Sequence, residues 1–362
     1  MPGQRTGGGA AVRRSRRRTR ALPSRLPWLL ALALAQSAPA QDTVRFAQSA
    51  RLAAHSLLIA IAAAGQRLVA VGDRGVIVLS DDRGRSWQQA TSVPTQALLT
   101  GVCFFDARHG LAVGHDEVVL ATADAGGTWR RTHYAPGAQR PLLDVWCGAG
   151  GEAIAVGAYS TYLTSTDGGA GWVARKFTAA PAPKGASGGR AGAASSAGDP
   201  GAGGGYHLNR IVAASAARLY IAGEAGHLYR SDDGGANWHA LFSPYEGSFF
   251  DILPLAGDAL LAFGLRGNLF RSEDAGGSWR RLDTGTVAML DGAARLAGGQ
   301  LAIVGLSGVV LLSGDGGESF ALRQQSDRSG LSAALAVGRD TLAVVGEDGA
   351  RLIALGDAGT AR

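Results

Sequence analysis

The chain has 362 residues, 46% of them hydrophobic and 55 of them glycine, and carries a formal charge of +6. That is enough apolar chain for a full core, and glycine spread along the whole length predicts many tight turns and all-β structure. The charge gives no support to a nucleic-acid partner: eight arginines and no acid fall in residues 1–40, and without them 27 basic residues face 29 acidic ones.

Residues 1–40 read as a signal peptide. Arg5, Arg13, Arg14, Arg16, Arg17, Arg18, Arg20 and Arg25 form a basic start, Leu26 to Ala35 an apolar core, and Ser37-Ala-Pro-Ala40 a small-residue cleavage site. The apolar run is too short for a lasting membrane anchor. The Arg16-Arg17-Arg18 cluster leaves twin-Arg and general export both open. The expectation is an exported, periplasmic chain cleaved near Ala40, with a single domain over residues 41–362.

That domain is repetitive. Six copies of the pattern Ser/Thr-x-Asp-x-Gly-x-x-aromatic are plain: Asp82 with Trp87, Asp124 with Trp129, Asp167 with Trp172, Asp233 with Trp238, Asp274 with Trp279, and Asp315 with Phe320. The steps between the aspartates are 42, 43, 66, 41 and 41 residues, and one further step of 42 reaches Asp357 in a worn seventh copy. The Asp carboxylate can accept from backbone N–H groups of its own turn, the glycine supplies a conformation that a Cβ would penalise, and the aromatic ring packs over the turn into the gap between sheets. These aspartates are structural.

Some ten residues before each box comes an apolar stretch ending in glycine, such as Ala70-Val-Gly72 and Ile303-Val-Gly305. It ends one strand, and a short polar turn leads to the next. Each period then holds four short strands, and the whole is expected to be an all-β, seven-bladed propeller of four-stranded antiparallel blades. Residues 42–46 are expected to supply the missing strand of the last blade and close the ring. Cys103 and Cys147 fall one residue out of phase on the inner strands of neighbouring blades. The compartment permits a disulfide, but the phase difference predicts opposite-facing free thiols. The long 66-residue step contains an Ala/Gly/Pro-rich insertion, 179–205, expected to be a flexible loop. Its Gly185-Ala-Ser187-Gly-Gly189 fits the hydrolase elbow by chance, since it lacks the flanking strand and helix.

Boxes in this even phase resemble those of BNR-repeat propellers, a group that includes sialidases, glycan-cleaving enzymes, sorting receptors and the photosystem II assembly and stability factors. The chain is most similar to the last. That resemblance implies a non-catalytic monomer on the far side of a membrane (the periplasm or a thylakoid-lumen equivalent), holding a newly made membrane-protein subunit, with no cofactor and no nucleic acid. The partner is then a photosystem II-like complex or another envelope complex. The alternatives are a sialidase-like glycoside hydrolase and a glycan-binding propeller. No Arg-Ile-Pro element occurs, Tyr245-Glu246 are adjacent rather than on separate blades, and the seven histidines show no metal-ligand spacing.

The face opposite the boxes carries the turns between second and third strands and the blade-to-blade loops. Arg74, His115, Asp116, Tyr159, Tyr162, Glu224, His227, Arg266 and Asn268 are the candidate partner-binding residues there. His133, Tyr134, Arg140, Tyr245, Phe249 and Phe250 lie in longer loops. Exposed aromatics beside arginine suit a protein-binding surface.

Overall fold

The computed structural model describes residues 44–182 and 205–355. Among them, seven antiparallel sheets follow one another as blades over residues 58–89, 99–133, 142–174, 208–240, 249–282, 290–324 and 331–354. The antiparallel strands of each blade follow in chain order from the axis outward. The second strand is the most apolar, and in blades 2 to 6 all five of its residues are buried, as in Gly110–Gly114 and Leu260–Gly264. It has to be, because both its faces are covered by neighbouring sheets.

Among the described residues the apolar side chains gather into seven clusters, each lying mainly between two neighbouring blades. One of them joins Leu58, Ala70 and Val78 of blade 1 to Ala333 and Val345 of blade 7, so the first and last blades meet as the others do.

The boxes are hydrogen-bonded turns between third and fourth strands. In blade 1 the Ser86 amide and Ser80 Oγ both donate to Asp82 Oδ1, at 2.8 Å each, and Ser86 Oγ donates to Oδ2 at 2.6 Å. The Gly84 amide donates to Ser80 Oγ at 2.7 Å, a role for the first hydroxyl that the sequence pattern alone did not reveal. Charge-assisted bonds of this kind hold Asp82 down to about 2, with the Ser86 hydroxyl contributing most. The box glycine has a left-handed backbone and sits on the preceding blade: Gly126 against Leu79 and Val69, Gly169 against Leu111, Gly235 against Ile154. Gly84 of blade 1 sits against Leu352 and Ala343 of blade 7, which closes the ring by the same contact.

Three expectations are corrected here. First, residues 44–50 form no strand, and blade 7 has three strands among the described residues. The segment instead runs beside the outer edge of blade 1, with the Ala47 amide donating to Val93 O at 2.9 Å and Gln89 Nε2 donating to Gln48 O at 2.9 Å. Incoming chain takes a comparable outer place in blade 2, where Ser92 bridges Thr128 in parallel. Asp357 lies outside the described residues.

Second, Cys103 and Cys147 form a disulfide, with their Cα atoms 5.8 Å apart. Equivalent side chains of neighbouring blades point the same way round the ring, so the faces that meet across a joint are opposite faces. A one-residue offset therefore turns the two thiols toward each other rather than apart. Third, the first residues of the insertion are strand: Ala179–Ala180 pairs in parallel with the outer strand Trp238–Ala240 of blade 4. Residues 183–204 of it, like residues 1–40, lie outside the described residues.

Candidate functional site

On the face away from the boxes, the turns between second and third strands share one backbone pattern. In blades 1 to 6 a strand-ending glycine and one intervening residue lead into two successive left-handed residues, the first of which is not glycine: Arg74 (φ 52°), Asp116 (61°), Tyr159 (54°), Ala225 (52°), Arg266 (59°) and Ser307 (58°). Such a residue holds its side chain away from the sheet. The Arg74 side chain is 86% exposed and Tyr159 is 55% exposed, and His115, Asp116 and Arg266 are exposed as well.

Other candidates sit lower. Glu224 and His227 are half-buried, and Glu224 Oε2 accepts from the His207 amide at 3.1 Å. His227 stacks on Tyr206, with ring centroids 4.0 Å apart, and Tyr159 meets His207 edge-on at 5.2 Å. Tyr162 and Asn268 do not belong to the surface. Tyr162 is in the core between blades 3 and 4, where its hydroxyl donates to Gly235 O and accepts from Trp238 Nε1. Asn268 is buried and donates to Leu265 O, closing its own turn. Phe249 is likewise fully buried, Tyr245 packs on Phe249 and Phe270, and Phe250 is half-buried on the innermost strand of blade 5. Tyr245 does lie in the loop 241–248, whereas Phe249 and Phe250 are strand residues, because aromatics near a turn look alike in a sequence whether they point out or in.

The loop after blade 2 is held from beneath. Glu117 is buried, and its carboxylate accepts from Arg140 Nε at 2.9 Å and His133 Nε2 at 3.3 Å. Arg131 lies over the Tyr134 ring, 4.2 Å from its centre. Glu117, beside the candidates His115 and Asp116, carries no signal in the sequence that sets it apart.

A second cluster lies at the axis. Asp144, Arg210 and Asp251 stand at the same position of the innermost strands of blades 3, 4 and 5, each thirteen residues before the glycine that ends the next strand. That shared phase is the signal that would have found them. Arg210 Nε lies 3.5 Å from Asp144 Oδ2 and 3.4 Å from Asp251 Oδ1, and the Ile211 amide donates to Asp144 at 2.9 Å. Arg210 is raised further above its usual range, most by Asp144. Burial pushes Asp251 up to about 6, and burial followed by the charge of Asp251 pushes Asp291 of blade 6 up to about 7. The arrangement is charge-compensated: the arginine joins two carboxylates that would otherwise repel. Two shallow clefts lie elsewhere, at the outer edges of blades 5 and 6 and of blade 4. Among the described residues no three His, Cys, Asp or Glu side chains are grouped to hold a metal ion.

Residues 85–183, which run from the first box through blade 3, match the family profile described as photosynthesis system II assembly factor YCF48. Residues 229–240 match the BNR/Asp-box repeat. The chain is an Asp-box propeller that resembles the photosystem II assembly factors. Its sequence is 28% identical over 165 residues to the photosystem II assembly lipoprotein Ycf48 of Synechococcus sp. (strain CC9902), a match spanning 45% of this chain and 43% of that one. Two assembly-factor structures share the fold. One, described as YCF48 bound to D1 peptide, has a TM-score of 0.64 at 16% identity, covering 88% of this chain and 99% of that one. The other, YCF48 from Cyanidioschyzon merolae, has a TM-score of 0.61 at 17% identity, covering 85% and 97%. A GH74 xyloglucanase from Xanthomonas campestris also shares it, with a TM-score of 0.64 at 14% identity, covering 88% of this chain and 54% of that enzyme.

Proposed function

We propose that this chain is an exported, non-catalytic, monomeric propeller that holds an extended segment of a membrane-protein subunit while its complex is assembled. The observation that carries the reading is the assembly-factor profile over residues 85–183, because it spans the whole of blades 2 and 3 and so far more than the short box shared by Asp-box propellers. The structure described as bound to a D1 peptide supports a peptide segment as the thing held. The basic and apolar run of residues 1–40 supports export. The partner class is a subunit of photosystem II or of another envelope complex. Crosslinking the full chain in envelope membranes, followed by affinity recovery and mass spectrometry, tests this. Enrichment of one membrane protein over an unrelated propeller is expected, and recovery of none would sink the reading.

The xyloglucanase likeness and the raised Asp251 and Asp291 favour a second reading, glycan cleavage. Against it stands Arg210, which ties up Asp251 and Asp144 together and leaves neither carboxylate free as the partner of an acid. Incubation with xyloglucan oligosaccharides is expected to release no reducing ends.

A further inference from the structure

The position three residues after the strand-ending glycine of each turn separates blades 2 and 3 from the rest. It is glycine in five blades, Gly75, Gly226, Gly267, Gly308 and Gly349, and the backbone packs directly on it. A Cβ at Gly75, Gly226 or Gly267 would run into the carbonyl of Thr95, Tyr245 or Thr286, each on the linker leaving that blade. The linkers are therefore pressed flush against the turns. Blade 2 has Glu117 at this place (φ 49°) and blade 3 has Ser160 (φ 57°). A residue with a Cβ is disfavoured relative to glycine in the left-handed region, so contacts are needed to hold Glu117 there.

What holds it is the linker itself. The Glu117 carboxylate is 4% exposed and takes Arg140 Nε on one oxygen and His133 Nε2 on the other, the two ends of the stretch 133–140. Between those ends the chain stands off the turn. The Ala135 amide donates to Asp116 O at 3.0 Å, Pro136–Ala138 makes one 3-10 turn, and Pro136, Gly137, Gln139 and Arg140 are exposed. Where five blades press a linker down on a glycine, blade 2 props one up on a carboxylate.

We propose that Glu117 is a positioning residue: it fixes the raised loop 134–140, and that loop is the part of blade 2 that contacts the membrane-protein segment. The placement of the loop inside the matched stretch 85–183 supports the second clause, which rests on the function proposed above. Glu117 touches no partner. It acts by spanning the loop's two ends with one buried charge, which a glycine cannot do.

The test compares the full wild-type chain with Glu117→Gly, Glu117→Gln and Ser160→Gly. Glu117→Gly installs the residue that five other blades carry, so the chain is expected to fold with an unchanged or higher Tm. Hydrogen exchange at residues 135–140 is expected to speed at least tenfold in Glu117→Gly, less in Glu117→Gln, and not at all in Ser160→Gly. Crosslinked recovery of the membrane partner is expected to fall severalfold in Glu117→Gly and to hold in Ser160→Gly. Unchanged exchange in Glu117→Gly overturns the positioning role, and faster exchange with undiminished recovery overturns the loop as a contact. A wild-type chain that recovers no membrane protein overturns the proposed function instead, and the exchange rates then decide the positioning role alone.

Discussion

Asp291 shows how one side chain can work against the fold around it. It takes the same bulged position of an innermost strand as Thr100 and Asn209. Those two donate across the joint to the first carbonyl of the next inner strand: Thr100 Oγ1 to Leu142 O and Asn209 Nδ2 to Phe249 O, each at 2.8 Å. An ionised Asp291 has no proton to give. With its carboxyl raised to about 7, the folded chain binds a proton that the unfolded chain releases near pH 4, so this contribution is present at low pH and lost as pH rises from about 4 to 7. Asp291→Asn is expected to restore the donor and to stabilise the protein at pH 8 by about 1 to 4 kcal/mol, with little gain at pH 4. Thermal unfolding at the two pH values checks it, and equal gains at both would contradict the account. The box carboxylates run the other way: Asp82, held at about 2, contributes above pH 4 and loses that contribution as pH falls toward 2.

At the scale of a strand and its turn, the repeat was legible wherever one residue type had one job. The boxes, the apolar strands ending in glycine and the count of blades follow from spacing, because turns and buried strands are local. Three things did not follow. The disulfide, the course of residues 44–50 and the inward direction of Tyr162, Asn268 and Phe249 depend on which faces of separate sheets meet, and a pattern within one repeat does not carry that. The disulfide closes a loop of 44 residues between two inner strands, so reduction, or Cys103→Ser with Cys147→Ser, is expected to cost about 4 kcal/mol on loop entropy. Denaturant midpoints with and without reductant measure it. Gly169→Ala is expected to cost more than Gly298→Ala. Both glycines are left-handed, but only at Gly169 would the Cβ meet a buried leucine, Leu111. Were the two costs equal, the seating of the box on the preceding blade would carry no weight.

For the whole molecule, the joints matter more than the blades. Each cluster of buried apolar residues lies mainly between two neighbours, and Gly84 rests on blade 7 as Gly126 rests on blade 1. The joint between last and first blades is then no weaker in kind than the rest, and the ring has no privileged start. A circular permutant opened at Gly298-Gly299, with the former ends linked, is expected to keep its far-UV spectrum and to melt within a few degrees of the parent. Loss of cooperative melting would show that the native order of blades is needed. The candidate site was the least legible part: family resemblance pointed to a kind of partner, while Glu117 and the Asp144–Arg210–Asp251 bridge emerge only when blades are compared position by position.

Each innermost strand carries a bulge one residue after its start, at Ile59, Thr100, Leu143, Asn209, Phe250, Asp291 and Ser332. The backbone there is uniform while the side chains are aliphatic, hydroxylic, amidic, aromatic and acidic in turn. The axis thus wears a collar of seven addresses on a constant frame, and at Thr100 and Asn209 the side chain also clasps the next blade. A lineage could retune that collar by single substitutions, leaving the architecture that displays them untouched.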